Sequence, residues 1–434
     1  MRLHGYEAYF AGGWVRDLLL HRKPKDIDIA TSAHPEAVTA LFGKTIMIGA
    51  HFGVVQVRLY GRYYEVATFR CEGPYFDGRH PSSVTYAGPR EDAQRRDFTA
   101  NGLFFDPVRN EIIDYVEGQS DLERKILRTI GNAEERFEED KLRMLRALRF
   151  ACNLGFSLAP VTWEAIRKMG SRIKQTSWER IRDELVQIFT GPNPGRGLEL
   201  LSESGLLTEI LPEVAAMRGI EQPSEFHPEG DVFEHTRLAL GLLRRPSAVL
   251  ALATLLHDVG KPLTYSVRDR IRFDGHVDAG VQKAGEICRR LRFSNADSDA
   301  ILNLVRHHLR FMHVYEMKES TLRRFLCLPN FKNHLELHRV DCLSSHRQLD
   351  SYYFCRRKLR EIQREPNKAP PLLRGQDLID LGYPPGPLFK EILRQVEDLQ
   401  LENTLGTREE AMDYVRKNFP KNSDPGTHKS GGVS

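Results

Sequence analysis

The spacing of apolar residues changes near residue 130, and this change constrains the fold more than any other feature of the sequence. Before that point, short runs of alternating β-branched and aromatic residues are separated by Gly and Asp turns, as in YEAYFAGG, YYEVATFR and NEIIDYV. Such runs predict short strands, with one helix, WVRDLLLHR, between them. Beyond residue 130, apolar residues recur at helical spacing between Pro and Gly breaks. The sequence therefore predicts a small α/β domain followed by an all-helical region.

Composition sets the broad class of protein. The chain has 434 residues, 41% apolar and 28% charged, which is enough for several domains with their own cores. Its 63 basic and 59 acidic residues nearly balance, so net charge permits a nucleic-acid partner but does not indicate one. The six cysteines form no Cys-x-x-Cys pair, and neither a signal peptide nor a membrane-length apolar run is present. We expect a cytoplasmic protein with no membrane span.

Two carboxylates stand two residues apart in the stretch GGWVRDLLLHRKPKDIDIAT, which runs from Gly12 to Thr31. On a strand, alternate side chains share a face, so Asp26 and Asp28 would face one side and the intervening isoleucines the other. Two carboxylates this close repel each other unless a cation lies between them, and hard oxygen ligands suit Mg²⁺. The pattern indicates a magnesium site that acts on a phosphate-bearing substrate.

The residues around this pair extend the same interpretation. Gly12 and Gly13 stand where a predicted strand gives way to the helix carrying Arg16 and Asp17, so the backbone there could approach an anionic group closely. Glu65, on the predicted strand YYEVATF, is a candidate third carboxylate for in-line nucleotidyl transfer with two metal ions. A lone Asp-x-Asp is also common on exposed strands or turns, so the inference depends on the combination.

These residues carry a family resemblance. The stretch from Gly12 to Thr31 resembles the first signature of the class II tRNA nucleotidyltransferase and bacterial poly(A) polymerase family, within the polymerase β-like superfamily. RRDFTANGLFFDP, DYVEGQSDLERKILRTIG and RFEEDKLRMLRALRF resemble its next three motifs and follow in the same order. The resemblance implies a catalytic domain of mixed sheet plus helices, with Mg²⁺ ions held by Asp26 and Asp28 and a third acidic position at Glu65. The nucleotide-binding residues we infer are Gly12, Gly13, Arg16, Asp17, Arg96, Asp97, Asp140, Arg143 and Arg146.

The fourth motif also has a physical interpretation of its own. Asp140 and Arg143 are three residues apart and would share one face of a helix. A carboxylate can accept from an exocyclic amino group while a guanidinium donates to neighbouring ring acceptors, which selects cytosine and adenine over guanine and uracil. The alternative is a solvated helix face with an intrahelical ion pair.

The helical half contains a second set of chemistry-bearing residues, which lie on or beside predicted helices: His235, His257, Asp258, His276, His307, His308 and Asp341. Imidazoles and carboxylates that converge from several helices commonly bind one or two transition-type metals. Their order resembles the HD phosphohydrolase superfamily. The resemblance implies a divalent transition metal, of unidentified kind, held by His235, His257, Asp258 and Asp341. His276, His307 and His308 are candidates for a second ion.

The order of these features predicts a multidomain α+β protein. It comprises a nucleotidyltransferase head (1–130), a helical neck that recognises the base (131–220), an HD domain (221–350), a helical RNA-contacting extension (351–420) and a disordered tail (421–434). A transferase head fused to an HD domain resembles bacterial CCA-adding enzymes, which implies CTP, ATP and the acceptor and elbow of tRNA as partners. The alternatives are a poly(A) polymerase, a CC-adding or A-adding enzyme, or a nucleotide-binding regulator built around the HD hydrolase. The sequence leaves the oligomeric state open.

Overall fold

The computed structural model describes residues 1–24, 26–48, 53–73, 82–364, 370–402 and 404–420. The chain forms two compact units, one of Met1–Arg306 with Val340–Arg347 and one of His307–Arg339 with Gln348–Ser434. The tail predicted to be disordered, 421–434, lies outside the described residues. Among the residues that are described, no helix has both the length and the apolar character needed to cross a membrane.

The first unit opens with a mixed sheet and short helices. The elements are β1 Ala8–Ala11, α1 Gly13–Leu19, β2 Asp28–Thr31, α2 Pro35–Leu41, β3 Thr45–Met47, β4 Val54–Leu59, β5 Arg62–Thr68, β6 Arg70–Glu72, β7 Val84–Tyr86, α3 Pro89–Gln94, β8 Leu103–Asp106, β9 Glu111–Asp114 and α4 Gly118–Glu123. Seven of the strands form one sheet in the order β3-β4-β5-β2-β1-β8-β9. Only β2 and β5 run parallel among its described pairings, and β6 pairs with β7 as a separate hairpin. The mixed sheet implied by the family resemblance is confirmed.

Each face of this sheet has its own apolar cluster. One cluster is built from Tyr9, Ala11, Ala30, Phe69, Ala93 and Phe104, and the other from Ala33, Val38, Val55, Val57 and Val66. Because side chains alternate along a strand, Asp28 shares its face with buried Ala30, and Glu65 faces away from buried Val66. The two carboxylates are therefore anchored by core residues next to them in the sequence.

Helices dominate the remainder of the first unit. The elements are β10 Ile126–Leu127, α5 Ala133–Glu139, α6 Leu142–Leu154, β11 Ser157–Leu158, α7 Pro160–Met169, α8 Trp178–Phe189, α9 Pro194–Glu203, α10 Leu206–Ile210, α11 Pro212–Ala215, α12 Val232–Gly241, α13 Ala248–Leu256, α14 Lys261–Thr264, β12 Ser266–Val267, β13 Ile271–Arg272, α15 His276–Arg290 and α16 Asn295–His307. Asn132 caps α5 through two backbone amides, and Gly155, at φ 74°, ends α6.

The expectation of an all-helical region is wrong at two short places. After left-handed Gly155 the chain is extended, and β11 pairs in parallel with β10. Further along, β12 and β13 pair as a small antiparallel hairpin. Both pairings involve only two residues per strand, which is too short for apolar alternation to appear in the sequence.

The second unit is helical in the residues described. Its elements are α17 Glu319–Leu326, α18 Phe331–Ser344, α19 Asp350–Arg364, α20 Gly375–Asp380, α21 Pro387–Leu401 and α22 Arg408–Asn418, and the division between units falls within α18. Phe311, Phe325 and Phe331 centre one apolar cluster, and a second gathers Leu378, Ile392, Val396 and Val415.

Candidate functional site

Strand pairing brings two of the three predicted carboxylates together. In the parallel pair β2–β5, Asp28 lies directly opposite Glu65, although 36 residues separate them in the chain. Asp26 is exposed and precedes β2, which begins at Asp28. The expectation that Asp26 shares a strand face with Asp28 is therefore wrong. The physical reason is that the pairing of β1 with β2 ends at Phe10 and Ile29, after which β1 turns away at Gly12.

Negative charge accumulates at this point of the sheet. Partial burial raises the pKa of Asp28, and the carboxylates of Glu65 and Asp26 raise it further, whereas the Arg96 guanidinium lowers it. Burial and like charge both disfavour the ionised form, so a cation at this place would relieve both. The carboxylate donor set fits a hard divalent ion such as Mg²⁺.

Gly12 makes room for a guanidinium at the end of β1. Its backbone, at φ 63° and ψ −126°, adopts a conformation that side chains rarely allow, and its amide donates to the Leu103 carbonyl at 3.0 Å. A Cβ placed on Gly12 would lie 2.8 Å from Arg96 Nη1 and 4.0 Å from Asp28 Oδ2. The missing side chain therefore lets Arg96 approach the carboxylates. Gly13, the next residue, begins α1.

A hydrogen-bond chain links α1 to α6. Arg16 donates from Nε to Asp17 at 2.9 Å and from Nη1 to Asn101 Oδ1 at 2.8 Å. Asn101 Nδ2 donates to Asp97 Oδ1 at 3.0 Å, and Arg146 Nη2 donates to Asp97 Oδ2 at 2.7 Å. Burial alone would raise the pKa of Asp97, but Arg146 and the hydrogen bond from Asn101 lower it to about 2. Asp97 therefore joins the sheet domain to the helix after it.

Asp140 and Arg143 each have a different partner from the one their spacing suggests. Asp140 follows α5 with an extended backbone, and its Oδ1 accepts from the Leu142 amide at 3.1 Å. The expectation of a shared helix face is therefore wrong, because Asp140 lies between α5 and α6 with an extended backbone, where its side chain bonds locally to the backbone. Asp140 Oδ2 accepts from Arg180 Nη2 at 2.7 Å, while Arg143 Nη1 donates to Glu139.

The sequence interpretation missed Arg180, Glu139 and Asn101. Arg180 stands in ERIRDEL, where Glu184 four residues later accepts from Arg149 at 2.7 Å. An arginine and a glutamate at helical spacing could have indicated a charged face on α8. Spacing alone could not indicate that this face meets Asp140 from 40 residues away.

The second predicted set also converges. His235 Nε2 lies 3.3 Å from His257 Nε2 and 3.2 Å from Asp341 Oδ1. Asp258 Oδ2 lies 3.2 Å from His257 Nε2 and 3.9 Å from His235 Nε2. Ligands about 2.1 Å from one ion are roughly 3.0–3.4 Å apart at octahedral or tetrahedral angles. Three of the four separations fall in this range, and the fourth, between His235 and Asp258, is longer at 3.9 Å.

Hydrogen bonds on the far side of each ring fix its orientation. His257 Nδ1 donates to the Thr254 carbonyl at 2.8 Å, and His235 Nδ1 donates to Glu229 Oε1 at 2.7 Å. With Nδ1 as the donor, Nε2 is the ring atom that would face a metal, as in metal-ligating histidines.

The carboxylates of the cluster interact with cationic groups beside them. Burial lowers the pKa of His235, but the hydrogen bonds that its ring donates to Asp341 and Glu229 outweigh burial and raise it to about 9. Lys261 Nζ lies 2.7 Å from Asp258 Oδ2. Burial would raise the pKa of Asp258, yet His257 and Lys261 hold it well below its usual range. Two imidazoles and two carboxylates this close together form a donor set that fits a divalent cation.

The three candidates for a second ion are divided between the units. His276 begins α15 in the first unit, where its Nδ1 donates to the Phe273 carbonyl at 2.9 Å and its Nε2 lies 3.7 Å from Asp258 Oδ1. His307 and His308 belong to the second unit. There the His307 ring lies 6.1 Å from that of His334. The second-ion set stays a sequence prediction.

Three protein-family models match successive parts of the chain. The "Poly A polymerase head domain" matches residues 8–128, the "Probable RNA and SrmB- binding site of polymerase A" matches 155–218, and the "HD domain" matches 232–328. The matches follow the order in which the sequence motifs occur.

Curated relatives match the chain over part of their length. A CCA-adding enzyme of Geobacillus stearothermophilus is 49% identical over 207 residues, which are 48% of this chain and 51% of that protein. A CCA-adding enzyme of Lactobacillus johnsonii is 44% identical over 226 residues, 52% of this chain and 56% of that protein. The chain thus spans about half the length of these relatives.

Solved structures match nearly the whole chain. A CCA-adding enzyme of Bacillus stearothermophilus in complex with CTP has a TM-score of 0.71 and 30% identity, over 96% of this chain and 95% of that one. A Thermotoga maritima CCA-adding enzyme complexed with tRNA has a TM-score of 0.58 and 18% identity, over 96% and 92%, which shows the fold alone.

Proposed function

We propose that this chain, which belongs to the family of CCA-adding enzymes and has an HD domain, adds CCA to tRNA 3′ ends from CTP and ATP. One observation carries the proposal. Parallel pairing sets Asp28 beside Glu65, next to Gly12 and Arg96, in a chain that matches a CTP-bound relative along 96% of its length. The acceptor and elbow of tRNA are the proposed partners, in the cytoplasm.

The head residues divide the work of nucleotidyl transfer. Asp26 and Asp28 would hold magnesium, with Glu65 beside them. When bound, the metal supplies charge neutralisation for the triphosphate and lowers the pKa of the attacking 3′-hydroxyl. Arg96 faces the same place and would contact the phosphates, helped by the close approach that Gly12 permits. Arg16 and Asp17 lie on the adjoining helix, held through Asn101.

Base selection would fall to Asp140 and Arg143. The contact of Asp140 with Arg180 fixes its carboxylate, and that of Arg143 with Glu139 fixes its guanidinium, so both recognition groups are held before a nucleotide binds. A carboxylate oxygen has two lone pairs, so Asp140 can accept from a base amino group while keeping its present donors. Cytosine and adenine offer that amino group, which makes a nucleic-acid template unnecessary. Arg146 would brace this helix against the head through Asp97.

The HD site supports a second, accessory activity. His235, His257, Asp258 and Asp341 would hold one divalent transition metal, since their donor atoms have the spacing and charge that such an ion requires. When bound, the metal supplies a Lewis acid for phosphate ester hydrolysis. Glu229 and the Thr254 carbonyl keep the ligand rings in place.

The test is end-specific nucleotide incorporation. Transcripts of one tRNA that end before CCA, after C and after CC, and an unrelated RNA, are incubated with Mg²⁺ and each labelled nucleotide. We expect CTP, CTP and ATP to be added in that order and addition to stop at CCA. The variant Asp28→Asn should lose incorporation, whereas Glu111→Gln, an exposed carboxylate on edge strand β9, should keep it. A long adenosine tail on a tRNA transcript or on the unrelated RNA would identify a poly(A) polymerase. Arrest after CC would identify a CC-adding enzyme, and addition of A alone would identify an A-adding enzyme.

A further inference from the structure

Asp92 is a buried carboxylate between two arginines beside the nucleotide-transfer site. It lies on α3, with 1% of its surface exposed. Its Oδ1 accepts from Arg95 Nε at 2.8 Å and Nη2 at 2.7 Å, and its Oδ2 accepts from Arg96 Nε at 3.3 Å and Nη2 at 3.0 Å. Each carboxylate oxygen therefore binds one guanidinium along the edge formed by Nε and Nη2, Oδ1 that of Arg95 and Oδ2 that of Arg96.

These hydrogen bonds orient the Arg96 guanidinium so that Nη1, which does not contact Asp92, faces the carboxylates of the site. Arg96 Nη1 donates to the Asn101 carbonyl at 3.3 Å and is the atom that a Cβ on Gly12 would meet. The guanidinium also lies 5.2 Å above the Phe104 ring. Because a guanidinium is planar and rigid, fixing one edge fixes the direction of all its donors.

Through Arg95, Asp92 is also connected to the base of the β6–β7 hairpin. Arg95 Nη1 lies 3.0 Å from Glu72 Oε1, and Arg70 Nη2 lies 2.8 Å from the same oxygen. Asp92 thus stands in the middle of a charge chain from Arg70 on the hairpin to Arg96 at the transfer site.

We propose that Asp92 is a positioning residue for nucleotide transfer, which holds the Arg96 guanidinium toward the triphosphate of the incoming nucleotide. The inference rests on the proposed function and adds to it the origin of phosphate affinity. Asp92 is buried and its two oxygens bind Arg95 and Arg96, so its contribution should be the same for CTP and ATP. A carboxylate that only stabilised the fold would leave the affinity for phosphates unaltered.

The chain offers a matched control for that structural role. Asp106, on β8 of the seven-stranded sheet, is 2% exposed, and its Oδ2 lies 2.7 Å from Arg2 Nη2. Asp106→Asn removes a buried carboxylate from an arginine just as Asp92→Asn does, away from Gly12 and Arg96.

The experiment compares full-length wild type with Asp92→Asn, Asp92→Glu and Asp106→Asn. We expect Asp92→Asn to raise KM for both CTP and ATP about tenfold with the CTP/ATP preference unchanged, a loss of ~1.4 kcal/mol. The inhibition constant of tripolyphosphate, the probe for the phosphates alone, should rise in parallel, and that of cytidine should not. Asp106→Asn should lower Tm and leave KM within about twofold.

Two results would overturn the proposal. The first is an Asp92→Asn variant that melts earlier but keeps the wild-type KM and tripolyphosphate inhibition. If that variant fails to fold, Asp92→Glu, which keeps the charge but displaces the guanidinium, decides the question. It should raise both constants at least about threefold at wild-type Tm, and unchanged constants are the second overturning result. Were wild type inactive on tRNA, the proposed function would fail, while direct titration with tripolyphosphate would still test Asp92.

Discussion

At the residue scale, Asp97 should make stability depend on pH. Its pKa is lowered to about 2, below its unfolded value, so its contribution is present above about pH 4 and disappears as pH falls toward about 2. Asp97→Asn should therefore lower the free energy of unfolding by ~2 kcal/mol at pH 7. Urea unfolding of both proteins at pH 7 and pH 2.5 measures this. A difference of equal size at both pH values would contradict the assignment to the ionised carboxylate.

The residue types of the site could be predicted from the sequence, but their partners could not. The spacing of Asp26 and Asp28 identified a candidate metal site, yet which carboxylate faces Asp28 depends on the register of β2 against β5. Asp140 shows the same limit. Its spacing from Arg143 suggested a pair, whereas its local bond to the Leu142 amide places it in the turn, where it meets Arg180. Local hydrogen-bonding chemistry competes with helix periodicity, and periodicity alone does not show which prevails.

At the scale of elements, apolar spacing predicted the strands of the head and the helices after it. It failed where the pairing was very short, at β11 and at the β12–β13 hairpin. It also placed Asp26 inside a strand that begins at Asp28, because strand length is set by how far the neighbouring strand continues. The β1–α1 junction was predicted from its glycines, and the structure adds the reason for Gly12, which is space for Arg96.

This junction makes Gly12→Ala a sharp test. An alanine there meets both an unfavourable backbone conformation and Arg96 Nη1 at 2.8 Å. We expect ~2 kcal/mol of destabilisation and a loss of transfer activity of more than about tenfold. Gly5→Ala is the control, since Gly5 has φ 81° with nothing within 4 Å of its Cβ position. It should cost about 1 kcal/mol and keep full activity. Equal activity losses in both variants would show that backbone strain, not the displaced guanidinium, matters.

At the scale of the whole molecule, the first unit contains two acidic sites built on different principles. In the head, a strand register gathers carboxylates suited to a hard ion. In the HD region, helix ends gather imidazoles and carboxylates suited to a transition metal. Family motifs predicted both sets of ligands, but not Glu229 or Lys261, whose roles depend on how separate segments pack.

Among the described residues, the two proposed metal sites have no ligand residue in common, so a substitution that weakens metal binding at one site should leave the other site unaffected. His257→Ala should weaken Ni²⁺ binding, measured by calorimetry, at least about tenfold, because it removes a donor whose neighbours remain fixed. CCA incorporation by the same variant should stay within about twofold of wild type. Asp28→Ala should show the reverse, with wild-type Ni²⁺ affinity and incorporation reduced more than about a hundredfold. Circular dichroism of both variants checks that folding is intact. If His257→Ala also abolished incorporation while folded, the two sites would be energetically coupled, and the HD metal would belong to the transfer machinery, not to an accessory activity.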